Sequence, residues 1–438
     1  MTFASSLYFA KSLIFPKAEK NSSARKSLFG AMLCIGLSIV PLIVVVSVTN
    51  GMIEGMTERI IGLSSSHMQA YVADSIEEVS SAENLRAYAQ GVLGDGVRQV
   101  YPQVELSALA VGKKNRSGIE IRAMQRDIFS VNDSFKAFFE VKEGSLAEYE
   151  GSGSSTDPAK LAVIGQKLAS DLDLHAGDSF RIITTRRVNG KISPRLTSFT
   201  VAAIVSSGYQ ELDQFWVFIP IETAYASLSL ESAAYGILME TEDAFSSNLP
   251  RIQHNVRNYF GRYANVYRWD EIHTAEFENF SSTKVMLIFV MLLIVLVASV
   301  NISSAIIMLV MERRKEIAIL KSIGATPRGI KISFLLAALA CAGGGVLFGL
   351  PVGLLLAVNA NGIIRGIEII INFFTHFFIE SQIKLLDPAY YLSEIPLELP
   401  WMQIILIVVA TFLLSVFVSY IPSKKAGREK PLDILRNL

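Results

Sequence analysis

The chain has 438 residues, 51% of them hydrophobic and 18% charged, with mean hydropathy +0.40. It is too apolar for an ordinary soluble protein and too charged for membrane spans alone, so a few spans plus a sizeable soluble domain are expected. Basic and acidic residues balance at 40 each, which removes any global electrostatic argument for nucleic acid. The two cysteines, Cys34 and Cys341, lie in apolar runs and exclude a disulfide framework.

Residues 3–15, FASSLYFAKSLIF, place apolar side chains at helical spacing, which fits an interfacial helix within a segment 1–26 and equally a short buried segment. The first charge-free run, 27–53, exceeds the ~20 residues that cross hydrocarbon. It starts too late and runs too long for a cleaved signal peptide, so it is read as a retained span, bent at Pro41.

Residues 54–283 mix periods. HMQAYVAD alternates as a strand does, and AENLRAYAQGVL has helical spacing. VELSALAVG and GIEIRAMQ flank the turn-rich KKNRS, which predicts a hairpin. EGSGSSTDPAK reads as a loop, KLAVIGQKLASDL as strand then helix, and FWVFIPIETAYASL as strand then helix again. SFRIITTRRV and LTSFTVAAIV flank NGKISPR and predict a second hairpin with a basic, proline-bearing tip. The expectation is a large α+β extracytoplasmic domain.

A second span is expected over 285–311, a charged segment over 312–331, and a third span over 332–358. A periplasmic or interfacial loop over 359–398, a fourth span over 399–422 and a tail over 423–438 complete the map. Within 359–398, Glu368 to Glu380 encloses too few uncharged residues to span, so a helix lying in the interface or on the domain fits better. The fold class is thus an α-helical membrane protein with four transmembrane helices and a large α+β domain between helices 1 and 2. The segments 1–26, 312–331 and 423–438 hold 16 basic residues against 5 acidic ones, which puts both termini in the cytoplasm and 54–283 outside.

Catalytic motifs are lacking. NGKI at 189–192 misses the first glycine and the hydroxyl of a nucleotide-binding loop, and neither GxSxG nor HExxH occurs. His67 reads as a polar residue entering the first strand rather than half of a catalytic pair, and His376 as an interfacial side chain. No enzymatic site and no metal site is expected. Ala337, Cys341, Gly345, Gly349 and Gly353 recur every fourth residue, a spacing that lets two helix backbones approach closely. Asn301, inside the second span, needs an interhelical partner.

The second span runs into VMERRKEIAILKSIGATPRGI, residues 310–330. Glu312, Arg313, Arg314 and Glu316 form a charged block. Ile317, Leu320 and Ile323 continue a stripe, Gly324 can end the helix, and Thr326-Pro327 can start a short following one. A continuous helix from Asn301 to Ile323 is expected to act as a lever, its stripe in a partner's groove and Arg328 beside it.

Three blocks now carry a resemblance: SVTNGMIEGMTERIIG, NISSAIIMLVMERRKEIAILKSIGATPRGI and YIPSKKAGREKPLDILRNL. With the layout of one span, a large external domain and three spans, the chain resembles the LolC/LolE family of lipoprotein-releasing ABC transporter permeases. These sit in the wider group that includes FtsX and MacB. The resemblance implies a MacB-like periplasmic domain and a bacterial inner-membrane location. It implies partnership with a second permease, the same or related, and with a LolD-like ATPase subunit that binds ATP and Mg, no cofactor being held by this chain. It further implies lipoprotein substrates drawn from the outer leaflet through a cavity walled by the first helix exit and the third helix, and a LolA-like periplasmic carrier. By position, RRVNGKISPRLT, with Arg186, Arg187, Lys191, Pro194 and Arg195, would be the carrier-recruiting hairpin of a LolC-type subunit; a LolE-type subunit lacks that role. An FtsX-like signalling permease and a MacB-like efflux permease are the alternatives.

Overall fold

The longest apolar runs form the longest helices. The computed structural model describes residues 6, 8–10, 12, 23–94, 96–151, 160–188, 191–375, 395–396 and 399–428. Four helices among them are long and apolar enough to cross a membrane: Leu28–Ser65, Thr274–Glu312, Pro327–Val358 and Trp401–Gly427. The first two hold 38 and 39 residues, so each is ~57 Å long at 1.5 Å per residue, nearly twice the ~30 Å of hydrocarbon. The chain divides into two units, one comprising Met1–Gly51, Asn279–Ile383 and Pro396–Leu438, the other Met52–Glu278 and Lys384–Ile395.

In the first unit, Leu28, Ile35, Ile39 and Ile43 pack with Ile302, Ile306, Ile330, Phe334 and Ala337. Some buried hydroxyls inside the helices bond back to the carbonyl four residues earlier, as Ser299 does to Val295 (2.8 Å) and Thr411 to Ile407 (2.8 Å), which removes the cost of an unpaired group at those positions. Asn50 donates to Gln403 at 2.9 Å. Of the expected N-terminal helix, the described residues are helical, and Phe9 meets Phe334 edge-on while Ser333 donates to the Ser6 carbonyl. A protein contact thus covers part of this apolar face, as the buried-segment reading has it. Between the third and fourth long helices, Ala360–Thr375 is a helix with Asn361, Arg365, Glu368 and Asn372 along one side. His376 lies outside the described residues.

The second unit is a mixed sheet of ten strands among the described residues. They are β1 (Met68–Val72), β2 (Val97–Val111), β3 (Arg116–Met124), β4 (Glu140–Gly144), β5 (Leu161–Gly165), β6 (Ser179–Val188), β7 (Lys191–Ser206), β8 (Trp216–Pro220), β9 (Ala234–Thr241) and β10 (Ala264–Arg268). The order is β10-β1-β9-β2-β3-β8-β5-β7-β4, with β6 pairing both β2 and β7. β2, β3, β8, β5, β7 and β6 therefore form a closed pairing circuit, from which β9, β1 and β10 extend. Pairs β3–β8 and β5–β7 are parallel, each joined through helices as parallel pairing requires.

Alternation along the strands fills both faces of the sheet. One cluster includes Met68, Val104, Ile121, Ile164, Phe180 and Val266; the other gathers Leu63, Phe129, Phe135, Tyr149, Phe218 and Leu238. Phe129, Phe135 and Phe139 all meet Phe218 edge-on, at centroid separations of 5.4, 5.8 and 5.6 Å.

The second hairpin corrects one expectation. NGKISPR is not a loop: β6 and β7 stay paired out to Val188 and Lys191, and only Asn189 and Gly190, outside the described residues, lie between them. Pro194 sits opposite Thr185 in the ladder. It is tolerated because β7 pairs with β6 alone over 191–199, and takes β5 as its second neighbour only from Thr200 onward.

Candidate coupling site and basic hairpin

The segment after the second long helix is built from local backbone rules. The helix Thr274–Glu312 breaks at Arg313, whose φ of −96° and ψ of 14° lie outside the helical well, and a new helix occupies Arg314–Ser322. The continuous lever is therefore corrected to two helices with a kink. Charged residues favour helix well enough that nothing in the residue string marks the break. Hydrogen bonds continue across it, from the Arg313 amide to the Leu309 carbonyl and from the Ile317 amide to the Arg313 carbonyl, both 3.0 Å. Arg313 pairs with Glu316.

Gly324 then takes φ +100°, a left-handed conformation that suits glycine, and the Ala325 amide closes on the Leu320 carbonyl at 2.9 Å. Thr326 caps the next helix by accepting from the Gly329 amide at 3.2 Å, with Pro327 at its first turn. That helix is not a short one. It is the third long helix itself, Pro327–Val358.

The stripe divides. Ile317 and Ala318 are buried, Ile317 within the first unit's core, Leu320 is half-buried, and Ile323 is 80% exposed. Ile319, which the stripe reading passed over, is 51% exposed and one turn from Ile323. The outward apolar pair is thus Ile319 and Ile323, flanked by the exposed Arg314, Lys315, Glu316, Pro327 and Arg328. Periodicity identified an amphipathic helix but not which apolar residues its own fold would cover. Lys321 donates to the Gly427 carbonyl at 2.7 Å, and the Lys331 ammonium lies 4.9 Å over the Tyr420 ring. The segment is thereby tied to the end of the fourth helix.

The small-residue face of the third helix meets the first helix. A Cβ on Gly345 would come 2.7 Å from the Ile35 side chain, and one on Gly353 would come 3.0 Å from Ile43. Ala337, Cys341, Gly345, Gly349 and Gly353 are all buried. Asn301 belongs to the second long helix, but its side chain lies outside what is described.

In the second unit, Arg186, Arg187, Lys191 and Pro194 are exposed on the β6–β7 hairpin, and Arg195 is half-buried. Its stem is anchored. The Arg187 amide donates to the Glu231 carboxylate (2.7 Å), the Arg195 guanidinium to the Leu228 carbonyl (3.1 Å) and the Thr197 hydroxyl to the Ser227 carbonyl (3.1 Å). Two apolar side chains that the sequence reading did not single out, Ile192 at 73% and Leu196 at 57% exposure, stand among these cations. Their position inside an alternating run was the available signal. Among the described residues no cluster of three or more metal-ligating side chains occurs.

His67 enters β1 and its Nδ1 accepts from the Thr241 amide at 3.1 Å, so it is a structural histidine. Burial pushes its pKa below the ordinary value.

Residues 28–256 match the MacB-like periplasmic core domain family, more than half of the chain. The chain belongs to that family. Residues 288–431 of this MacB-like chain match the FtsX-like permease C-terminal family. The lipoprotein-releasing system transmembrane protein LolE of Haemophilus influenzae is 24% identical, over 92% of this chain and 92% of its own length. LolC of Neisseria meningitidis, of the same system, is also 24% identical over 92% of each chain. The resemblance read from the three motif blocks is borne out. The crystal structure of the periplasmic region of MacB from Actinobacillus actinomycetemcomitans covers 49% of this chain and 94% of its own at 13% identity, with a TM-score of 0.31; at that score the likeness adds nothing to the fold argument.

Proposed function

We propose that the chain is a permease subunit of an ABC transporter that takes lipoproteins from the outer leaflet of the bacterial inner membrane and passes them to a periplasmic carrier. The single observation that carries this reading is the similarity to LolE and LolC along nine-tenths of both partners, with the two family matches in the order domain then permease. In this reading the four apolar helices span the membrane with both termini cytoplasmic, following the basic residues at 11–26, 313–331 and 424–436. The α+β domain is then periplasmic.

A separate ATPase subunit binds ATP and Mg and docks on the 312–331 segment. Ile319 and Ile323 enter its groove, and Arg314 and Arg328 meet acidic side chains at the rim or anionic headgroups. The kink at Arg313 changes how motion is delivered. Ile317, buried in the permease's own core, passes the ATPase's movement inward through packing, since a close-packed interior transmits displacement. A second permease completes the cavity that receives the acyl chains, and the β6–β7 hairpin meets the carrier.

The test is reconstitution with the ATPase and second permease in proteoliposomes carrying a fluorescent triacylated lipoprotein. ATP-dependent transfer of the label to an added periplasmic carrier is expected. A complex that hydrolyses ATP yet transfers none would remove the lipoprotein reading. A cysteine in 150–157 that labels from the cytoplasmic side would remove the topology.

A further inference from the structure

The first helix does not stop where its apolar run stops. After Arg59 it continues as one π-helical turn, Ile60–Ser65, with Ile60, Ile61 and Leu63 buried. π-turns are rare and concentrate at functional sites. Ser66 follows at φ +51° and ψ −161°, a region that is essentially glycine's, yet it is a buried serine. Such a conformation persists only where the surroundings over-determine it.

The surroundings are specific. Arg122, from the middle of β3 and 1% exposed, donates to the Leu63 carbonyl, to the Ser64 carbonyl at 2.9 Å and to Gln103 Oε1 at 2.9 Å. Helix ends leave carbonyls without intrahelical partners, and here one guanidinium takes two of them. Its Cζ lies over the Trp216 ring, 4.8 Å from the centroid. Glu105 stands directly opposite Arg122 in the β2–β3 register and supplies compensating charge. Gly236 leaves the room that this cluster needs, since a Cβ there would meet Gln103 at 3.0 Å and Gln69 at 3.2 Å. At the start of the π-turn, Arg59 donates to the Ser207 carbonyl at 2.8 Å and stacks over Phe138.

A buried cation is costly, and an apolar side chain would fill the same space more cheaply. Only a planar fork can hold two successive carbonyls and an amide oxygen at once; a lysine ammonium cannot reproduce that geometry. We propose that Arg122 is a positioning residue that locks the domain end of the first helix to the sheet, so that helix end and sheet move as one body during transport. The part about transport rests on the transporter reading above; the lock itself does not.

The full complex in nanodiscs tests both. Spin labels go on cysteines replacing the exposed Glu58 and Arg98, one on the helix and one on β2, in a background lacking Cys34 and Cys341. The wild-type distance distribution is expected to be narrow and unchanged by nucleotide, and Arg122→Lys to broaden it. In the same variant, ATP hydrolysis should stay within twofold of wild type while lipoprotein released per ATP falls at least tenfold. A folded Arg122→Lys protein with a narrow distribution and wild-type release per ATP overturns the proposal. Should Arg122→Lys fail to fold, Gln103→Met, which removes one anchor of the guanidinium and neither carbonyl, decides by the same distance measurement: broadening supports the lock and a narrow distribution overturns it. If the wild-type complex releases no lipoprotein, the transporter reading fails while the distances still decide the lock.

Discussion

Gly349 of the third long helix lies against Gly36 of the first so closely that a Cβ on Gly349 would sit 2.6 Å from the Gly36 carbonyl oxygen. The obstacle is backbone, so no rotamer change relieves it. Gly349→Ala should therefore force the two helices apart at a cost of about 1–3 kcal/mol, the usual range for overpacking. Gly343 supplies the contrast, because a Cβ there meets only the Phe412 ring at 3.8 Å, an ordinary contact. Thermal aggregation of the two variants in detergent checks this: Gly349→Ala should aggregate several degrees earlier and Gly343→Ala with wild type. Equal midpoints would mean that the close crossing contributes nothing to stability.

The division of the coupling stripe gives a paired prediction. Ile323→Asp places its charge in solvent and should change folding stability by no more than about 0.5 kcal/mol. ATPase co-purification should nevertheless fall at least tenfold, and Ile319→Asp should behave alike. Ile317→Asp buries an unpaired carboxylate, which costs several kcal/mol, and should reduce the yield of folded permease itself. Pull-down of the ATPase, normalised to monodisperse permease, separates the two classes. Normal ATPase recovery with both exposed variants would show that the pair faces lipid.

The hairpin prediction distinguishes permease subtypes. Replacing Arg187 and Lys191 with Glu and Ile192 with Ser reverses exposed charge and removes apolar surface while keeping the Arg195 and Thr197 anchors. Carrier capture should be lost, with ATPase association unchanged, because charge complementarity governs encounter and an apolar anchor governs residence. Surface plasmon resonance against an immobilised carrier reads both rates. Wild-type kinetics would give this chain the LolE-like role.

Acidification should loosen the domain. Burial lowers the pKa of His67 and of His273, so for both the unfolded chain binds the proton more readily. The stability from their neutral forms is complete above the ordinary value of about 6.5 and is lost as pH falls from there through the depressed folded values. Glu105, Asp213 and Glu240 are shifted upward by burial and work in the opposite sense, contributing most below the ordinary carboxylate value and less as pH rises. Hydrogen exchange of the β1 and β9 amides in the full-length protein should accelerate, after correction for intrinsic rates, between pH 6.5 and 5. His67→Gln should flatten that dependence, and a variant as steep as wild type would assign it elsewhere.

The four apolar helices, the two hairpins and the strand-then-helix units were legible because hydrophobic period and turn residues are local signals. Three features were not. The Arg313 break falls among good helix formers, so no residue in the string marks it. The hairpin ladder extends through Pro194, which reads as a breaker until the unpaired side of β7 is known. Arg122 looked like one more charge in an alternating strand. Its burial depends on Leu63, Gln103 and Trp216, which come from three distant places in the sequence and meet only in the finished sheet.

The pairing of β1 carries a consequence for how the protein is made. Met68–Val72 emerges directly after the first helix, yet its two neighbours are Ala234–Thr241 and Ala264–Arg268, at the other end of the domain. During synthesis this strand must wait, unpaired on both edges, until nearly the whole domain has been made. Such distant pairings close slowly and leave sticky edges exposed meanwhile. A chain truncated before Ala264 should therefore be degraded by proteases rather than form a smaller working domain. Only when the last five-residue strand, Ala264–Arg268, has been made are both edges of Met68–Val72 covered.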